Sequence, residues 1–91
     1  VHKKSLLNTP HGEPVVRDEY LEDGLLHRED GPAVVCSDGL EAWYRHGLLH
    51  REDGPAVADP GTHYLAWFRD GVAQRVEHGS GVVFSLAPAN A

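Results

Sequence analysis

The chain has 91 residues, enough for one domain with one core and too few for two. Hydrophobic residues at 41% and charged residues at 24% are ordinary for a globular protein and argue against disorder throughout, while 14 acidic against 8 basic residues give a formal charge of −6 that opposes attraction to phosphate backbones and anionic membranes. Cys36 is the single cysteine, so no internal disulfide forms and a reduced, cytoplasmic setting is expected.

The chain opens Val1-His2-Lys3-Lys4-Ser5-Leu6-Leu7-Asn8, with only two apolar residues in a row, which does not read as a signal peptide. No stretch approaches the roughly 20 apolar residues that span a bilayer. The main signal is Gly24-Leu25-Leu26-His27-Arg28-Glu29-Asp30-Gly31-Pro32-Ala33-Val34, which recurs unchanged from Gly47 to Val57 at a period of 23. A fixed period of this kind marks stacked supersecondary units. Residues 5–19 read as a degenerate N-terminal cap, because Leu6-Leu7-Asn8-Thr9-Pro10-His11-Gly12-Glu13-Pro14-Val15 weakly echoes that unit. Tyr20-Leu21-Glu22-Asp23-Gly24, Trp43-Tyr44-Arg45-His46-Gly47 and Trp67-Phe68-Arg69-Asp70-Gly71 align as well, giving three units over about 20–42, 43–66 and 67–86. The extra residue of the last spacing falls in Asp59-Pro60-Gly61-Thr62, a turn-rich stretch. Past Gly71 the third unit decays as a capping repeat does, with Arg75 read as the arginine of the His-Arg pair displaced by one position.

Gly and Pro recur every few residues and no segment keeps a helical apolar period, so the fold class expected is all-β. Strands are expected near 15–22, 25–28, 32–36, 40–46, 48–51, 55–58, 63–69, 72–77 and 81–86. Asp23-Gly24, Asp38-Gly39, His46-Gly47 and Asp70-Gly71 read as hairpin tips, since Asp-Gly favours positive φ. Asp30-Gly31-Pro32 and Asp53-Gly54-Pro55 read as structural repeat turns, with Gly31 and Gly54 in left-handed or strained positions. Consecutive antiparallel pairing of such short elements makes a curved meander.

The unit Trp/Tyr-x-x-x-Gly-Leu-Leu-His-Arg-x-Asp-Gly-Pro-Ala resembles the longer, divergent MORN-like β-repeats found in bacteria, phages and giant viruses. The resemblance covers most of residues 5–78 and implies an antiparallel repeat sheet with little chemistry. Ordinary MORN repeats are shorter and carry Gly-x-Gly endings that are absent here, so their lipid-linked roles do not transfer.

His27-Arg28-Glu29-Asp30 and His50-Arg51-Glu52-Asp53 hold groups fit for acid–base work, but a feature duplicated in each unit reads as structural. Each Asp is expected to accept turn N–H groups and each Arg to bridge to the neighbouring unit. His46 and His50 lie four apart across a tight turn, not on a helix, and no Cys-x-x-Cys or His-Glu-x-x-His is present, so no metal or other cofactor is expected. His2, His11, His63 and His78 share no position and are expected to face solvent. Gly79-Ser80-Gly81 is not a nucleophile elbow. Cys36 reads as a buried spectator.

Strand alternation sends Tyr20, Trp43 and Trp67 to one face and Leu21, Tyr44 and Phe68 to the other. A single layer cannot bury both rows, so either one row is core and the other is covered by a terminal segment, or the second row meets a partner. The function expected is a non-catalytic, acidic protein-binding module with Tyr44, Phe68, Arg45, Arg69, Glu29 and Glu52 at the interface. One concrete form is a phage- or mobile-element-type inhibitor docking on a basic nucleic-acid-binding complex of a host defence system, without contacting nucleic acid or membrane itself. The rival readings are a metal-assisted hydrolase using Cys36, His46 and His50, and an assembly protein forming homo-oligomers through its sheet edges.

Overall fold

Three two-residue turns hold both central residues at positive φ: Asp23 and Gly24 at 53° and 77°, His46 and Gly47 at 51° and 81°, Asp70 and Gly71 at 47° and 81°. This is the primed hairpin geometry whose twist matches that of paired strands. The computed structural model describes residues 1–8, 10, 12–79 and 81–85, and there the chain is all-β, with eleven strands and no helix. They are β1 (His2–Leu7), β2 (Val15–Glu22), β3 (Leu25–Leu26), β4 (Val34–Cys36), β5 (Glu41–Ala42), β6 (Tyr44–Arg45), β7 (Leu48–Leu49), β8 (Val57–Asp59), β9 (Tyr64–Arg69), β10 (Val72–His78) and β11 (Gly81–Ser85).

All pairings are antiparallel. The main sheet runs β1-β2-β4-β5-β8-β9-β10-β11, with β3 on the far end of β2 and β6–β7 as a separate two-stranded ladder. The sheet is a largely consecutive meander, and it does not close. The expected strands 25–28 and 32–36 shorten to β3 and β4, and 48–51 and 55–58 to β7 and β8, because residues 28–32 and 51–55 leave the ladder as loops. One aromatic residue stands opposite each loop. Tyr20 N–H donates to Ala33 O at 2.8 Å and Tyr20 O accepts from His27 N–H at 2.9 Å; Trp43 N–H donates to Ala56 O at 2.6 Å and Trp43 O accepts from His50 N–H at 3.0 Å. Each loop is in effect a large bulge clasping one residue of the neighbouring strand, which is why the expected strand 40–46 divides at Trp43 into β5 and β6.

The N-terminal stretch adds a strand that was not among those expected. His2–Leu7 forms an edge strand on β2, in register from His2 opposite Tyr20 to Leu7 opposite Val15. Thr9 and His11 of the expected echo lie outside the described residues, as do Ser80 and Leu86. The other edge is β11, where Val82, Val83 and Phe84 are exposed.

The core contains no large side chain that is fully buried; among the described residues it is built from Ala33, Val34, Cys36, Ala42, Ala56 and Ala66. Val34, Cys36 and Ala42 form its centre, with Val15, Leu26, Leu40, Tyr44, Leu49 and Val57 packed around them. With extents of 45 × 34 × 17 Å the molecule is thin. Small residues at the crossings let the passes approach closely, and the ladder hydrogen bonds carry much of the cohesion. Tyr44 is half-buried and packs against the cluster of Val34, Cys36 and Ala42. Leu21 faces the same way, opposite Leu26.

Candidate binding groove

The second aromatic row, Tyr20, Trp43 and Trp67, is covered from within the chain by arginines. The Arg28 guanidinium lies 4.0 Å from the Tyr20 ring centroid, Arg51 4.0 Å from Trp43 and Arg75 5.9 Å from Trp67. A cation over an aromatic face is attracted by the ring quadrupole and spares the ring from water. Each loop arginine is also tied to its own loop: Arg28 Nη1 donates to Pro32 O at 3.3 Å and Arg51 Nη1 to Pro55 O at 3.2 Å. Their Nε atoms face Asp30 at 3.5 Å and Asp53 at 3.1 Å. The expected bridge from these arginines to the next unit is thus replaced by closure of the loop on itself. Asp30 and Asp53 pair with arginine; they stand 91% and 85% exposed.

Gly31 and Gly54 do not have positive φ, contrary to expectation. Their requirement is space. A Cβ on Gly31 would lie 3.1 Å from Arg28 Nε, and one on Gly54 3.0 Å from Arg51 Cζ. Glycine lets the guanidinium lie flat between loop and ring. Gly54→Ala is expected to push Arg51 off Trp43 at a cost of about 1 kcal/mol, the size of one partly exposed cation–π contact. In an Arg51→Ala background the same substitution should be neutral or stabilising, because an unstrained Gly→Ala change lowers the entropy of the unfolded chain. Urea unfolding of the four proteins of this cycle measures the change of sign.

Histidines make the seams between successive hairpins. His27 Nδ1 accepts the His46 N–H at 2.9 Å, and the two rings lie tilted against each other with centroids 4.5 Å apart. One unit on, His50 Nδ1 accepts the Asp70 N–H at 3.0 Å. Arg28 N–H donates to Tyr44 O at 3.2 Å and Arg51 N–H to Phe68 O at 3.1 Å, while Gly47 and Gly71 N–H donate to Leu26 O and Leu49 O, both at 2.8 Å. The two seams differ at the turn residue, His46 in one and Asp70 in the next, and in what faces the histidine's other nitrogen. His27 Nε2 has the Glu22 carboxylate 3.8 Å away, whereas Arg45 occupies the corresponding place in the next hairpin and the buried His50 Nε2 has no hydrogen-bond partner among the described residues.

Between the two loops runs a groove of about 560 Å³ lined by Arg28, Glu29, Asp30, Trp43, Arg45, His50, Arg51, Glu52 and Asp53. A smaller groove of about 240 Å³ follows beyond the second loop, lined by Arg51, Glu52, Trp67, Phe68, Arg69, Gln74 and Arg75. Five of the six residues expected at an interface therefore lie on these walls: Glu29, Arg45 and Glu52 in the first groove, Glu52, Phe68 and Arg69 in the second. Tyr44 does not line either. Arg45 Nη2 approaches Glu29 Oε1 at 4.0 Å, a loose bridge between neighbouring units.

Sequence reasoning missed the arginine–aromatic stacks. Their signal is an interval of eight residues, Tyr20 to Arg28, Trp43 to Arg51 and Trp67 to Arg75. Arg75 is thus not displaced by one position: it stands four residues after Gly71, as Arg28 and Arg51 do after Gly24 and Gly47, and Gln74 takes the place of the histidine. A one-residue bulge between Ala73 and Arg75 there replaces the five-residue loop.

Cys36 is buried in the core centre, and burial, reinforced by Asp38, pushes its thiol pKa up from 9.0. A thiol held protonated is a poor nucleophile. Among the described residues no three His, Cys, Asp or Glu side chains are grouped to hold a metal ion, so Cys36, His46 and His50 do not assemble as the hydrolase reading requires. Of the other histidines, His2 stacks on Tyr20 at 4.7 Å and meets Asp18 at 2.7 Å, and His63 and His78 are exposed. Among the described residues no helix is long and apolar enough to cross a membrane.

In comparisons with protein-family models, with curated proteins and with solved structures, nothing matches this chain.

Proposed function

We propose that this chain is a non-catalytic protein-binding module that docks its acidic loop face on a basic surface of another protein. The observation that carries this reading is the pair of sequence-identical loops standing on either side of one groove. Their aspartates are matched by their own arginines, and Glu29 and Glu52 remain exposed toward an incoming partner. Charge so placed steers encounter and selects partners of opposite sign. The likeness of the unit to MORN-like repeats, together with the acid surplus, supports the narrower form: an inhibitor from a phage or mobile element that covers a basic nucleic-acid channel of a host defence complex. Cys36 as a buried thiol suits a reducing compartment.

Partner capture at low and at raised salt tests this. Association is expected to weaken as salt shortens the screening length from about 10 Å at 0.1 M to about 3 Å at 1 M. Glu29→Lys with Glu52→Lys reverses two exposed charges that the loop closure does not use, so circular dichroism should stay native while the partner is lost. Wild-type affinity in the folded double variant would refute the acidic-face assignment.

A further inference from the structure

The two loops are identical in sequence, and one pass of the meander, β5–β6, lies between them. Equivalent residues such as Glu29 and Glu52 are therefore two strand spacings apart across the sheet, about 10 Å. Among their carboxylates the internal cations are unevenly used. Asp30 and Asp53 each face a loop arginine within 3.5 Å, Glu29 has only Arg45 at 4.0 Å, and Glu52 has no ion-pair partner within 4.0 Å among the described residues. Two glutamates whose backbone positions repeat about 10 Å apart, one on each wall, thus line a groove that Trp43 also lines.

A second feature of the same groove is His50. Its side chain is 11% exposed, its Nδ1 accepts the Asp70 N–H, and its other nitrogen, Nε2, consequently carries the proton. That N–H is buried beside the groove and has no acceptor among the described residues. In the preceding seam the corresponding nitrogen has a carboxylate nearby; here Arg45 has taken that place. An unmet donor of this kind costs free energy, and because its surface is closed to water it serves the seam beneath the groove and not a contact within it.

Resting on the protein-binding reading above, we propose that the groove between residues 28–32 and 51–55 receives an extended polyproline-type segment of the partner carrying two arginines three residues apart, Arg-x-x-Arg. Such a segment advances about 3.1 Å per residue with three residues per turn, so residues three apart project to the same side about 9.3 Å from each other. That matches the repeat of the two glutamates. A β-extended segment does not do this, because residues three apart in it point to opposite sides. The guanidinium fork pairs with a carboxylate through two parallel hydrogen bonds, which favours arginine over lysine at both positions.

The test is calorimetric titration of the intact protein, at low salt, with three synthetic peptides of equal charge: Arg-Pro-Arg, Arg-Pro-Pro-Arg and Arg-Pro-Pro-Pro-Arg, each capped at both ends. The two-proline peptide is expected to bind at least fivefold more tightly than either of the others, and Glu29→Gln or Glu52→Gln should abolish that preference while leaving the fold intact. Equal affinities for the three spacings would overturn the inference and leave the broader reading standing, since only unspecific charge attraction would remain. Absence of binding to any of them would also overturn it, and salt-sensitive capture of a protein partner would then show separately whether the broader reading survives. A preference retained in both glutamine variants would place the peptide elsewhere and refute the groove.

Discussion

Among the glycines of residues 24–81, Gly39→Ala should be the most damaging substitution, with a loss of about 3 kcal/mol in urea unfolding. Two independent costs meet there. Gly39 sits at φ +103°, outside even the left-handed well that Asn and Asp tolerate, and holding an L residue in such a region costs of order 1–3 kcal/mol. A Cβ would also lie 2.8 Å from Pro60 Cγ, closer than real Cβ atoms come, and a proline ring has little freedom to yield. The contact joins the turn between β4 and β5 to the turn between β8 and β9, so the clash is transmitted to two hairpins. Gly24→Ala is the control. Its φ is +77° with nothing within 4 Å, so only the backbone cost applies, about 1 kcal/mol. Pro60→Ala placed in the Gly39→Ala background should recover the difference between the two glycines and no more. Equal losses at Gly24 and Gly39 would mean that the two turns do not press on each other.

Local chemistry made the turns legible in the sequence and left the pairing partners hidden. Asp-Gly and His-Gly placed the hairpin tips at Gly24, Gly47 and Gly71, because a two-residue turn with both residues at positive φ has few sequence solutions. The same argument misplaced Gly31 and Gly54: glycine beside proline suggested strain, whereas the residue that dictates them is an arginine three positions earlier whose side chain folds back over the loop. Single-sequence patterns speak of backbone propensity and are silent on side-chain return paths. The edge strand His2–Leu7 was missed for a related reason. It has no alternation and two adjacent lysines, Lys3 and Lys4, and it becomes a strand by pairing with β2 along its whole length. Lysines on an edge discourage further pairing, which fits the position it occupies.

For the groove, residue types were readable and their grouping was not. Glu29, Arg45 and Glu52 belong to one site because 28–32 and 51–55 leave the ladder on the same side of the sheet, a consequence of each loop opposing one aromatic residue. Strand alternation put Tyr44 and Leu21 on one face without saying which face is inside. The buried residues that settle the question, Val34, Cys36 and Ala42, are small enough to read as filler.

The two histidine seams should respond differently to the same substitution. His27 is 8% exposed, and His27→Ala removes the acceptor for the His46 N–H and the ring tilted against His46, leaving a gap and an unmet donor. A loss of about 2–3 kcal/mol is expected from the cavity and the lost acceptor together, which lowers the thermal midpoint of a chain this size by roughly 10–20 °C. His27→Asn keeps an oxygen near the position of Nδ1, so it should restore the hydrogen bond and part of the loss. At His50 the alanine substitution should cost a similar amount through the Asp70 N–H, but His50→Asn should fall closer to wild type than His27→Asn does. The reason is the other side of the ring. Asparagine brings an amide NH2 of its own at either site, but at 50 it takes away a buried N–H that has no acceptor among the described residues, whereas at 27 it gives up a nitrogen facing the Glu22 carboxylate. Thermal unfolding of the four single variants decides this. If His50→Asn proves as costly as His27→Asn, the orphaned Nε2–H carries no penalty, and the contrast between Glu22 and Arg45 at equivalent positions has no energetic meaning.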